Sequence, residues 1–167
     1  MADTSDLPTL EALALDVGTM LRIRGETVAV TESSCGGLVS AALLSIPGAS
    51  AFFVGGAVVY TKRARVSLLG LSDDDMRGMR AETEPYARLI ARRVRSNLGA
   101  SWGIGESGAA GPKGSPYGDD AGHVCLAVVG EATVSETLET CLENRVQNMN
   151  LFSRHLLALF AKVLRSQ

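Results

Sequence analysis

Ser33, Ser34 and Cys35 follow Glu32 directly and precede Gly36-Gly37, so four polar side chains, two or three of them potential nucleophiles, crowd into one turn. The preceding residues, Thr27 to Thr31, read as a short β-branched strand, and the glycines open an apolar helix that stops at Pro47-Gly48. A strand running straight into a helix puts the turn at the carboxyl end of a sheet, where open α/β folds bind ligands. Unpaired N–H groups at the helix start favour an anion there. Simple N-capping by Ser33 or Ser34 accounts for one polar residue, not for four beside a double glycine.

A second turn has the same make-up. Ser101 to Gly105 reads as a strand and gives way to Glu106-Ser107-Gly108-Ala109-Ala110-Gly111-Pro112. If the two strands are parallel neighbours, both loops face one pocket lined with backbone N–H groups, which suits a phosphate, a carboxylate or the oxyanion of acyl transfer. Tyr60 closes a third strand-like run, with Lys62, Arg63 and Arg65 just beyond it. A nucleophilic serine needs a base, and Tyr60, Lys62 and Arg65 are the nearby candidates; arginine stays protonated and stabilises charge better than it accepts a proton. Cys35 is an alternative nucleophile if the helix N-terminus lowers its pKa. His123 and His155 stand apart from this group, and Cys35, Cys125 and Cys141 have no metal-like spacing. No cofactor is expected.

The elements that must position these residues are legible from period and punctuation. Apolar residues Leu10, Leu13, Val17, Met20 and Leu21 predict a helix over 7–23, ended by Gly25. The strand over 27–31 and the helix over 36–46 follow, and Ala51 to Thr61 predicts a strand with a bulge or close backbone approach at Gly55-Gly56. Lys62 to Leu69 reads as a short helix capped at Gly70, Asp73-Asp74-Asp75 as the start of another, and Thr83 to Leu98 as a longer one stopped by Gly99. His123 to Val129 and Thr133 to Leu138 read as a hairpin turning at Gly130-Glu131, and Arg145 to Leu164 as the last helix. Helices alternate with strands, with one antiparallel excursion. This predicts a single-domain α/β fold, a three-layer α/β/α sandwich around a mixed, mostly parallel sheet.

The bulk numbers bound the function. The chain has 167 residues, 46% of them hydrophobic, and a formal net charge of -2. That is one globular domain, and its acidic balance argues against nucleic acid as partner. The arginine-rich stretch over 83–98 accordingly reads as a solvated helix face. Residues 1–8 lack a basic, apolar leader and no run is long enough to span a membrane, so a cytoplasmic protein is expected. Apolar helix surface left uncovered predicts a homo-oligomer.

Glu32-Ser33-Ser34-Cys35-Gly36-Gly37, Pro47-Gly48-Ala49-Ser50 through Gly55-Gly56-Ala57-Val58-Val59-Tyr60, and Ser107-Gly108-Ala109-Ala110-Gly111-Pro112 resemble, in order and spacing, the CinA C-terminal domain family. The resemblance spans nearly the whole chain and implies one such domain over 1–167, without the molybdopterin-binding-like domain that precedes it in many relatives. It implies a metal-independent amidohydrolase that converts nicotinamide mononucleotide to nicotinic acid mononucleotide and ammonia in pyridine nucleotide salvage. Its small-molecule partner would then be a phosphorylated nucleotide. By the resemblance Ser33 is the nucleophile, Tyr60 matches the tyrosine of the second motif, and Gly36 and Gly37 contribute oxyanion N–H groups. Glu32, Ser34, Cys35 and the loop Ser107, Gly108, Ala109, Ala110, Gly111 would line the nucleotide pocket. The chain departs from the family pattern where Ser34-Cys35 replace Cys-Thr and where Arg65 replaces the lysine expected to act as base, with Lys62 one helical turn away. The alternative is a nucleotide-binding module of the same fold without turnover.

Overall fold

A computed structural model describes residues 7–167; the expectation about the amino terminus falls largely on residues 1–6, outside the described part. The elements run in chain order α1 (Leu10–Arg24), β1 (Val28–Glu32), α2 (Leu38–Leu44), β2 (Phe53–Val58), α3 (Lys62–Leu69), α4 (Glu84–Leu98), β3 (Trp102–Gly108), β4 (His123–Val129), β5 (Thr133–Glu139) and α5 (Arg145–Arg165). Thr9, Thr61, Thr83 and Asn144 cap the starts of α1, α3, α4 and α5 with their side chains, and Gly25, Gly70 and Gly99 end α1, α3 and α4 in the left-handed conformation.

The five strands form one sheet in the order β2-β1-β3-β4-β5. β1 pairs in parallel with both β2 and β3, whereas β4 runs antiparallel to β3 and forms a hairpin with β5. Four of the five strands therefore point the same way, and the carboxyl ends of β1, β2 and β3 lie side by side. Helices α1, α2 and α5 cover one face; α4, with α3 beside it, covers the other. This is the mixed, mostly parallel three-layer sandwich that the alternation of elements predicts.

The two faces pack differently. Towards α1, α2 and α5 the sheet presents Val28, Val30, Trp102, Ile104, Val124, Leu126 and Val128, which join Phe52, Phe152, Leu156 and Phe160 in the main core. Towards α4 it presents small residues: Ala29, Gly103, Gly105, Cys125 and Ala127. A Cβ on Gly103 would run into the Ala91 carbonyl of α4, and one on Gly105 would lie 2.7 Å from Thr31 Oγ1. The Gly-x-Gly in β3 thus lets the α4 backbone rest directly on the sheet. Gly103→Ala is expected to destabilise the fold by about 2 kcal/mol through overpacking, read as a lower Tm.

Three local expectations differ from the structure. The register irregularity in β2 falls between the partners of Val28 and Ala29, at Val54, one residue before the glycine pair. Asp73 to Asp75 belong to turns, not a helix, because Asp75 caps the turn by accepting from the Ser72 N–H and hydroxyl, each at 2.8 Å. β3 continues to Gly108, so Glu106 and Ser107 are strand residues, not loop residues. Among the described residues no helix is long and apolar enough to cross a membrane.

Candidate active site

The loop joining β1 to α2 is held from beneath by two buried carboxylates. Glu32, fully buried at the end of β1, accepts from the N–H groups of Gly37 (2.9 Å), Val39 (3.1 Å) and Ser40 (2.9 Å) and from the Ser40 hydroxyl (2.7 Å). It caps α2 in place of Ser33 or Ser34. Glu106, fully buried on the adjacent parallel strand β3, accepts from the Ser33 N–H (2.5 Å), the Ser34 hydroxyl (2.5 Å) and the Cys35 N–H (2.8 Å). Burial raises the Glu106 carboxyl to about 7, with the Glu32 charge adding to the rise, although the three donors favour its ionised form. Gly36 and Gly37, at φ 67° and 102°, complete the turn in a region that other residues adopt only under strain.

This frame turns Ser33 towards a cleft of about 400 Å³ at the carboxyl ends of β1, β2 and β3. The Ser33 Oγ has no hydrogen bond to any described residue. The cleft gathers Ser33, Tyr60, Lys62 and Arg65 with Ser107, Gly108, Ala109, Ala110 and Gly111, so the two strand-end loops do share one pocket. Glu32, Ser34 and Cys35 are not in its wall, a correction to the lining read from sequence. Their side chains point into the protein because the two acids and the core take them up. Burial, with Glu106 nearby, pushes the Cys35 thiol well above its ordinary range, the opposite of an activated nucleophile. Gly36 and Gly37 also lie outside the wall, and the Gly37 N–H already serves Glu32. The N–H groups of Ser34 and Gly36 are the ones in this loop that no described residue accepts.

The cleft wall also includes Glu82, Tyr86, Lys113, Ser115, Tyr117 and Arg145. Arg145, the first residue of α5, donates to the Gly111 carbonyl at 2.8 Å and to the Tyr60 hydroxyl at 3.2 Å, tying the segment after β3 to the end of β2. Arg65 lies over the Tyr86 ring, 5.5 Å from its centroid. The Lys62 ammonium turns to Asp73 at 2.8 Å in an exposed pair. Lys62, Arg65, Lys113 and Arg145 make the cleft cationic, and Glu82 is the one carboxylate in its described wall.

Glu82 is held in an unusual way. Its φ of 61° is left-handed, a strain of about 1–3 kcal/mol for a residue with a side chain. Its N–H donates to Ser107 Oγ at 3.2 Å, and the His123 Nε2–H donates to its carbonyl at 3.0 Å. The neighbouring Cys125 sulfur and the Glu139 carboxylate, bonded to His123 Nδ1, raise the imidazole to about 10 against the effect of burial. Burial in turn pushes the Glu82 carboxyl up, and its Oε2 meets no partner among the described residues. Neither Glu82 nor Arg145 carried a sequence signal: both lie far along the chain from the glycine motifs, and only the fold brings them in.

The fold and site define a three-layer α/β/α domain with a cationic cleft at the ends of its parallel strands. Comparison with known proteins sharpens this: the CinA C-terminal domain family matches residues 10–164, and the chain belongs to that family. A CinA-like protein from Prochlorococcus marinus (strain MIT 9313) is 44% identical over 120 residues, which is 72% of this chain and 28% of the relative. Another, from Desulfosudis oleivorans, is 37% identical over 144 residues, 85% of this chain and 35% of the relative. The chain thus spans about a third of the length of these relatives. Among solved structures, a CinA superfamily protein from Enterobacter cloacae superposes with a TM-score of 0.87 at 26% identity, covering 96% of this chain and 95% of that one. One from Klebsiella pneumoniae 700603 has a TM-score of 0.89 at 23% identity, covering 96% of this chain and all of the other, and shares the fold.

Proposed function

We propose that this domain is a cytoplasmic amidohydrolase that deamidates nicotinamide mononucleotide to nicotinic acid mononucleotide and ammonia, in pyridine nucleotide salvage. The observation that carries the reading is the unbonded Ser33 hydroxyl facing a cationic cleft from a rigidly framed turn. The family, known to include amidases, supplies the reaction class.

In this reading Lys113 and Arg145, with the Ala110 and Gly111 N–H groups that no described residue accepts, hold the phosphate end of the nucleotide. Ser33 Oγ attacks the carboxamide carbon, and the cationic side chains of the cleft wall stabilise the developing oxyanion. Tyr60, fixed by Arg145, passes the serine proton to the departing nitrogen, and Arg65 stabilises charge without accepting a proton. The C–N bond breaks, ammonia leaves, and water attacks the resulting Ser33 ester to release the acid. Arg145→Ala is expected to weaken nucleotide binding about tenfold, the loss of one charge-assisted contact, with the fold unchanged by circular dichroism.

The test is ammonia release from nicotinamide mononucleotide by the purified chain. Turnover supports the amidase. Binding by calorimetry without turnover favours a second reading, a nucleotide-binding module, whose motivating observation is Arg65 where a base is expected. Neither binding nor turnover overturns both.

A further inference from the structure

The charges of the cleft wall are sorted along the row of strand ends. Lys62 and Arg65 stand on α3, which follows β2 at the sheet edge. Arg145 bonds the Tyr60 hydroxyl and the Gly111 carbonyl, and Lys113 stands two residues after Gly111. Glu82, the one carboxylate in the described wall, is fixed on the other side. Its N–H donates to Ser107 near the end of β3, and its carbonyl accepts from His123 at the start of β4. Ser33 follows β1, which lies between β2 and β3. The hydroxyl thus stands between a cationic side and a carboxylate.

That carboxylate has no counter-charge of its own. Two cations approach it, Arg80 and His123, with Asp119 as the neighbouring anion. Arg80 is taken up by Asp119 in a two-pronged pair at 2.7 and 2.9 Å, and the His123 imidazole by Glu139. The Ser115 hydroxyl beside Glu82 donates to Asp119 at 2.7 Å. Among the described residues Glu82 joins no ion pair, and its buried Oε2 has no partner. A carboxylate placed in this way is costly to leave unpaired, yet the chain holds it there on a left-handed backbone. A purely anionic ligand meets repulsion at Glu82. A ligand negative at one end and positive at the other matches both sides of the cleft.

We propose that Glu82 is a specificity-determining residue, whose carboxylate pairs with a fixed positive charge on the ring of the ligand while the opposite side of the cleft holds its phosphate. The inference rests on the nucleotide reading above and adds a selection to it, for a pyridinium over an uncharged ring of nearly the same shape. His123 and Ser107 position Glu82 through its main chain.

Calorimetry on the full chain carrying Ser33→Ala, which removes turnover, tests this with two probes. One is nicotinamide mononucleotide, whose ring bears a fixed charge. The other is its dihydro form, with the same phosphate and carboxamide on an uncharged ring. With Glu82 present the charged form should bind about tenfold more tightly, the scale of one charge-assisted contact. Adding Glu82→Gln should abolish that preference, while affinity for the dihydro form changes by less than about twofold. Glu82→Asn, a residue suited to positive φ, is the second uncharged variant and should do the same, both folds being checked by circular dichroism. Equal weakening of the two probes would put Glu82 on the ribose hydroxyls that they share and overturn the proposal. A preference that survives both variants, or none in the chain with Glu82, also overturns it. In each of these cases the nucleotide reading stands, because the probes bind. Binding of neither probe overturns both.

Discussion

Ser33→Ala is expected to lower ammonia release from nicotinamide mononucleotide by about a thousandfold or more, the usual scale when a covalent nucleophile is removed. Nucleotide affinity should change little, because the hydroxyl acts on the reacting carbon. Stability should stay within about 0.5 kcal/mol of wild type. The reason is in the hydrogen bonding: Ser33 contributes its main-chain N–H to Glu106, and alanine supplies the same group. Full activity in the variant would remove Ser33 from the chemistry. Cys35 could not then take its place without leaving the core, where it is fully buried.

Glu106 should show the largest structural effect. In Glu106→Ala three donors (the Ser33 N–H, the Ser34 hydroxyl and the Cys35 N–H) lose their acceptor. At about 1–3 kcal/mol for each unsatisfied group, part of it recovered by water at the cleft, a loss of roughly 4 kcal/mol is expected, together with the activity. Glu106→Gln keeps one acceptor oxygen and should retain more of the fold. It also exposes a pH signature. The folded-state carboxyl sits at about 7, raised from 4.5, so the native state holds the proton more tightly than the unfolded chain. The stabilisation it brings is fully present below pH 4.5 and is lost as pH rises through about 7. Denaturant unfolding from pH 4 to 8 should therefore show the wild type losing stability relative to Glu106→Gln, by an amount of the order of 3 kcal/mol. A constant difference across that range would mean that folding leaves the Glu106 carboxyl at its ordinary value.

Period and punctuation reveal most of the fold in the sequence because they are local. Thr83 and Gly99 bracket α4 as their residue types dictate, and the Gly130-Glu131 corner turns the β4–β5 hairpin where read. What the sequence conceals is whatever depends on a partner distant in the chain. Glu106 looks like part of a polar loop until pairing with β4 extends β3 to Gly108. Glu32 looks like a site residue, yet its carboxylate is spent on a helix that begins six residues later. Gly103 and Gly105 look like a weak strand until α4 is seen resting on them. The cleft follows the same rule. Ser33, Tyr60 and residues 107–111 are readable because each stands at the end of a strand of the sheet, and Arg65 because it lies one turn into the helix that follows β2. Arg145 and Glu82 arrive from a helix start and a strained turn, with nothing nearby in sequence to announce them.

Glu32 and Glu106 grip the turn mainly through peptide N–H groups, which every amino acid except proline supplies. The shape of the rim is therefore insured against changes in the side chains that stand on it. Positions 33, 60 and 65 behave as interchangeable fittings on a fixed mount, and a lineage can exchange them and alter what the cleft accepts or does without first rebuilding the loop. The mount itself has little freedom, for it needs both acids, both glycines at 36 and 37, and no proline among its donors.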